Sequence, residues 1–157
     1  MTEKSFQQYY PESLSYCYGC GTNNEHGLHI SSYWRGEEAV AVFEPKDYHL
    51  AFPGYVYGGL IASLVDCHCV GTAAAAAYKA EGREPGSLPA FRYVTASLQV
   101  DYKKPTPLGP EIQIRAKVIS IKGTKTVIEA EVVVEGAVTA IGRVVAVRMP
   151  KDLHPGE

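Results

Sequence analysis

Asp66 is the one acid in a largely apolar run, GLIASLVDCHCVGTAAAAA, which the chain enters through Pro53-Gly54 and a Gly58-Gly59 pair. A charge inside an apolar helix is costly to bury, so its presence needs a reason. Two glycines opening such a helix leave backbone N–H groups unshielded near the positive end of its dipole. A carboxylate and a set of anion-stabilising donors on one element suit attack on a carbonyl, the donors holding the oxygen as it gains charge. The same residues have plainer readings. Asp66 would serve as a structural acid paired with an arginine across a subunit contact, and the glycines would simply let the helix start pack closely on a strand. The position of the acid one to two turns beyond the glycines favours the chemical reading.

Cys17, Cys20, Cys67 and Cys69 are the other groups with reactive potential. Nothing in MTEKSFQQYY resembles an export signal, so a cytoplasmic location and reduced thiols are expected. Cys17-x-x-Cys20 together with Cys67-His68-Cys69 invites a zinc reading. Consecutive helical residues point in three directions, however, and knuckle-like ligand pairs are missing, so no metal is assigned. A nucleophilic thiol at Cys67 or Cys69 is not assigned either, since neither shares the helical face of Asp66.

The chain has 157 residues with a formal net charge of -2, 46% apolar and 20% charged residues. That suits one globular domain with its own core and offers no field to attract nucleic acid or an anionic membrane. Asp66 and His68 interrupt the best apolar stretch, so no membrane span is expected.

Chemistry at Asp66 requires elements that hold it. Residues 1–27, rich in Tyr, Ser, Asn and Gly, read as an irregular lead-in with a short helix near 11–14. Two strands are expected at 28–34 and 39–44, then a long helix from 57 to about 80, in which 73–77 is the best helix-forming sequence available. Glu81-Gly82 is its stop signal. Four strands follow, at 91–102, 111–121, 124–135 and 138–148, with 151–157 as a tail. In the first of these, strict alternation puts Val94, Ala96, Leu98, Val100 and Tyr102 on one face and Tyr93, Thr95, Ser97, Gln99 and Asp101 on the other. One helix too apolar for a solvent face, with one antiparallel sheet, gives an α+β fold in which the curled sheet wraps the helix over residues 28–150. Its edge strands favour pairing between subunits.

Gly54-Tyr55-Val56-Tyr57-Gly58-Gly59 with Asp66 seven residues on resembles the Gly-x-x-His-Gly-Gly…acid motif of the hotdog fold, in its PaaI-like acyl-CoA thioesterase branch. Cys17-Tyr18-Gly19-Cys20-Gly21 through Gly27-Leu28 resembles an opening found in many such proteins. Tyr102-Lys103-Lys104-Pro105-Thr106-Pro107-Leu108-Gly109 resembles the family's third strand and its turn. The likeness covers roughly residues 15–150.

The resemblance implies hydrolysis of an acyl-CoA thioester with no cofactor, at a site formed between two subunits of a homodimer or dimer of dimers (a homotetramer). Asp66 would be general base or nucleophile, and the Gly58 N–H would bind the thioester oxygen. Thr95 would hold the water, with Ser97 beside it. Gly59, Ser97 and His49 would contact substrate. Two departures stand out: Tyr57 occupies the position of the motif His, and Ala51 that of an Asn or Gln in some relatives, for which His49 is the candidate substitute. The Tyr57 hydroxyl could donate to the thioester oxygen. A non-catalytic acyl-CoA or aromatic-ligand binding protein on the same fold is the alternative. A hydratase would need an acid/base His that the motif position lacks.

Overall fold

A computed structural model describes residues 2–150; the expected tail at 151–157 lies outside the described residues. Six strands and one helix follow two short 3-10 turns: β1 Ser32–Arg35, β2 Glu38–Phe43, α1 Gly58–Ala80, β3 Tyr93–Tyr102, β4 Ile112–Lys122, β5 Lys125–Val134 and β6 Ala137–Arg148. The strands form one antiparallel sheet in the order β1-β2-β4-β5-β6-β3. The expected wrapping of a sheet around a single helix is what is observed. Ile112, Ile114, Ala116, Ile128, Val132, Val144 and Ala146 are fully enclosed with Leu64 and Val65 of α1. By length and composition α1 is apolar enough to cross a bilayer, but 67% of its most apolar window is buried within the protein. Gly142 makes the close approach possible, because a Cβ there would overlap Val65. The helix ends as expected, with Glu81 N–H bonded to the Ala77 carbonyl and Gly82 at φ 62°.

The first strand is shorter than expected. Residues 28–31 are not strand, since His29 takes φ 53° and breaks the extended run. Their backbone bonds go to the lead-in instead, Leu28 N–H to the Tyr18 carbonyl and Ile30 N–H to that of Gly19. The lead-in is itself anchored. It contains the expected turn at Glu12–Leu14 and a second at Phe6–Tyr9, whose Gln7 is buried.

Gln7 belongs to a buried polar chain that ties four elements together. Its amide donates to Ser32 Oγ at 3.1 Å and accepts the Ser32 N–H at 2.9 Å. The Ser32 hydroxyl donates to His68 Nδ1 at 2.8 Å, and His68 Nε2 donates to the Ala39 carbonyl at 3.0 Å. Burial pushes the His68 pKa down to about 4, against the opposing bond to Ala39, so the ring is neutral and structural. His68→Leu leaves the Ser32 hydroxyl without an acceptor and the Ala39 carbonyl without its imidazole donor. It should lower the unfolding free energy in urea titration by about 2–4 kcal/mol. An unchanged midpoint would mean that the chain contributes nothing.

The largest departure from the sequence reading lies in β3. Thr95 pairs with Ala146 and Ser97 with Val145, so Ala96 is an extra residue in a bulge. Directly paired residues share a face. Thr95 therefore lies on the face of Leu98, Val100 and Tyr102, which pair with Val144, Gly142 and Ala140 over the helix. Ser97, Gln99 and Asp101 take the outer face, so strict alternation fails at Ala96 and the expected Thr95–Ser97 neighbourhood does not form.

Candidate functional site

Asp66 lies half-buried on α1 at a cavity of about 330 Å³ that Thr95, Cys17, Cys20, Cys67 and Tyr93 also line. The Thr95 hydroxyl donates to Asp66 Oδ1 at 2.6 Å. The bulge makes this contact possible by turning Thr95 toward the helix. Among the described residues Oδ2 has no protein partner and remains available to a water or a substrate. The cavity adjoins a second, of about 700 Å³, bounded by Phe6, Tyr9, Trp34, Tyr78 and Phe91. Tyr10, Gly71, Ala74 and Phe91 line both.

The helix start carries the other half of the chemistry. Tyr57 is the N-cap residue, and its carbonyl accepts the N–H groups of Leu60 and Ile61. Gly58 and Gly59 are first-turn donors with no acceptor inside the helix. Tyr57 folds its ring directly over Gly59, where an added Cβ would overlap it. Its side chain is exposed and caps nothing. Tyr102, not singled out from the sequence, donates its hydroxyl to the Gly58 carbonyl at 2.6 Å. Desolvation raises its pKa, with Tyr57 adding to the shift, so both phenols stand at this helix end.

Other expected site residues fall elsewhere. His49 accepts the Lys46 N–H on Nδ1 at 2.9 Å, and its carbonyl accepts the Tyr57 N–H. Its ring packs against Phe43 and Tyr48, and burial followed by nearby Lys46 lowers its pKa. It shapes the loop before the helix and is not bonded to the glycine pair. Ser97 lies across the sheet from Asp66. Gly58 and Asp66 are eight residues apart on one helix, a rise of about 12 Å. Donor and acid of the same chain are thus well separated along the helix.

The cysteines also depart from expectation. His68 and Cys69 do point away into the core, as their consecutive placement predicts. Cys67 instead joins the Cys17-x-x-Cys20 loop, and all three Sγ atoms lie within 4.8 Å of one another. Bonds from the Cys20 and Cys67 thiols, joined by the Gly19 and Cys20 N–H groups, push Cys17 down to about 2. The bond to Cys17 and burial push Cys20 up to about 12, and Cys67 rises for the same reasons. Considering the pair and the triplet as whole units concealed this grouping, since only one member of the triplet takes part.

The sequence model described as the thioesterase superfamily matches residues 53–147. Acyl-coenzyme A thioesterase THEM4 of Xenopus laevis is 38% identical over 86 residues, which are 55% of this chain and 33% of that protein. The chain thus spans about a third of the length of the curated relatives it matches. Among solved structures, a thioesterase superfamily protein from Shewanella loihica PV-4 is 43% identical, with a TM-score of 0.66 over 81% of this chain and 96% of that one. The PaaI protein of E. coli, from the phenylacetic acid degradation operon, shares the fold at 18% identity, with a TM-score of 0.63 over 78% of this chain and 81% of that one.

Proposed function

The chain belongs to the thioesterase superfamily and has its hotdog fold, and on that premise we propose that it hydrolyses an acyl-CoA thioester to the free acid and coenzyme A, at a site shared between two copies. The observation that carries this reading is the Thr95–Asp66 bond at the cavity, which leaves the second oxygen of Asp66 without a protein partner among the described residues. Asp66 takes a proton from that water as its oxygen attacks the thioester carbon. The Gly58 N–H of the second copy stabilises the oxyanion, and collapse expels the thiolate of coenzyme A, which takes up the proton.

The 12 Å rise between Gly58 and Asp66 is the reason for invoking two copies. The free edge of β3, with Val94, Leu98 and Tyr102 exposed, is where the second copy would pair. The acyl group would run from Asp66 past Ala74 into the aromatic cavity. No cofactor enters the proposed steps, because positioning and oxyanion stabilisation act on an ester that is already activated.

Thiol release measured over short, medium, long and aryl acyl-CoAs tests the proposal. Turnover on at least one class is expected. Tight binding of acyl-CoA with no turnover on any of them would replace the enzyme with a ligand-binding protein.

A further inference from the structure

The geometry points to a thiolate-bound zinc site formed by Cys17, Cys20 and Cys67, joining the lead-in to α1 beside the Asp66 cavity. Three observations carry it. The first is distance. A tetrahedral zinc ion with sulfur ligands at about 2.3 Å sets neighbouring sulfurs about 3.8 Å apart. Cys17 and Cys67, fifty residues apart in sequence, hold their Sγ atoms at 3.7 Å, and Cys20 completes a triangle within 4.8 Å. Cys17 and Cys67 already stand at ligand separation, and Cys20 has about 1 Å or less to close.

The second is the loop. Gly21 N–H bonds back to the Cys17 carbonyl at 2.7 Å, closing a tight turn that brings the Cys17 and Cys20 sulfurs to the same side as Cys67. The glycines are required by the closure. A Cβ at Gly19 would overlap the Cys67 sulfur, and one at Gly21 would come within 2.5 Å of both Cys17 N and the Ser15 carbonyl. The backbone is drawn in as tightly as the sulfurs demand.

The third is charge. Among the described residues no lysine, arginine or histidine bonds to any of the three sulfurs, while Asp66 lines the same cavity. Metal binding would release the thiol protons, and with no cationic side chain bonded there a divalent cation that prefers sulfur supplies the counter-charge. Three protein ligands would leave a fourth position for a water beside the cavity that these cysteines line. All four cysteines are free of disulfides, so the ligands are available.

The test is independent of thioester turnover. Reduced protein, stripped of metal and titrated with cobalt(II), should develop tetrahedral ligand-field bands and thiolate-to-cobalt charge transfer, saturating at one equivalent per chain. Zinc should bleach both. Cys17→Ser and Cys67→Ser should each lose the charge-transfer band, and Cys69→Ala, altered in the core away from the triangle, should keep it. Absence of both bands in the wild-type titration overturns the assignment without reference to any variant. So does a spectrum unchanged in Cys67→Ser, or peroxide-driven Cys17–Cys67 disulfide formation that added zinc does not retard.

Discussion

Asp66→Ala should lower kcat for thioester hydrolysis by about a thousandfold or more while leaving the fold intact. Its carboxylate is the one that lines the cavity, and one of its oxygens is already fixed by Thr95. Losing a proton acceptor removes an interaction that matters in the transition state, so KM should move little while kcat falls. Stability should change by no more than about 1 kcal/mol, since a half-buried acid with one hydrogen bond contributes little to the fold. Asp66→Asn is the sharper variant, because the amide oxygen can still accept the Thr95 hydroxyl but takes no proton. Thiol release should be lost in both. An Asn variant with a tenth or more of wild-type kcat would remove Asp66 from the chemistry.

Gly58→Pro is expected to cost about a hundred- to a thousandfold in kcat, the loss associated with one oxyanion donor. The substitution deletes only the N–H at issue. Proline is favoured at the first position of a helix, where the N–H has no helical acceptor. Tyr57, at φ -60° and ψ 129°, already has the conformation that precedes a proline. A side chain at Gly58 meets the Tyr102 ring at 3.5 Å, an ordinary contact. Gly58→Ala keeps the N–H and should keep most of the activity, so the pair separates the donor from the space. The two inactive variants also test the shared site. Mixed dimers of Asp66→Ala and Gly58→Pro each carry one intact site, so an equal mixture should regain about a quarter of wild-type activity. Two variants that stay inactive after subunit exchange would place donor and acid in the same chain.

The helix and the strands were legible because their signals are local. An alanine run and a Glu-Gly stop depend on neighbours within a few residues; the run lies inside α1 and the stop ends it. Asp66 and Gly58 stood out as candidates through their residue types and spacing, and the structure puts one at a cavity and the other at the helix start. The bulge at Ala96 was not legible, and neither were three further features. The Cys17–Cys67 contact spans fifty residues and depends on how the lead-in folds over α1. The loss of strand at 28–31 follows from bonds to Tyr18 and Gly19 that no periodicity reveals. Gln7 gave no sign of burial because its partner Ser32 is equally unremarkable in sequence.

The bulge in β3 has an evolutionary side. Because side chains alternate with a period of two, losing one residue from a strand ordinarily turns everything on one side of the deletion to the opposite face. Ala96 is an exception, since Thr95 and Ser97 already oppose consecutive residues of β6. Removing it would leave both flanks in their present register. The strand reads as one that has absorbed an insertion, and an ancestor or a relative one residue shorter at this point would present Thr95 to the same carboxylate. Point substitutions and this single indel are open to β3, whereas length changes elsewhere along it would dismantle the site.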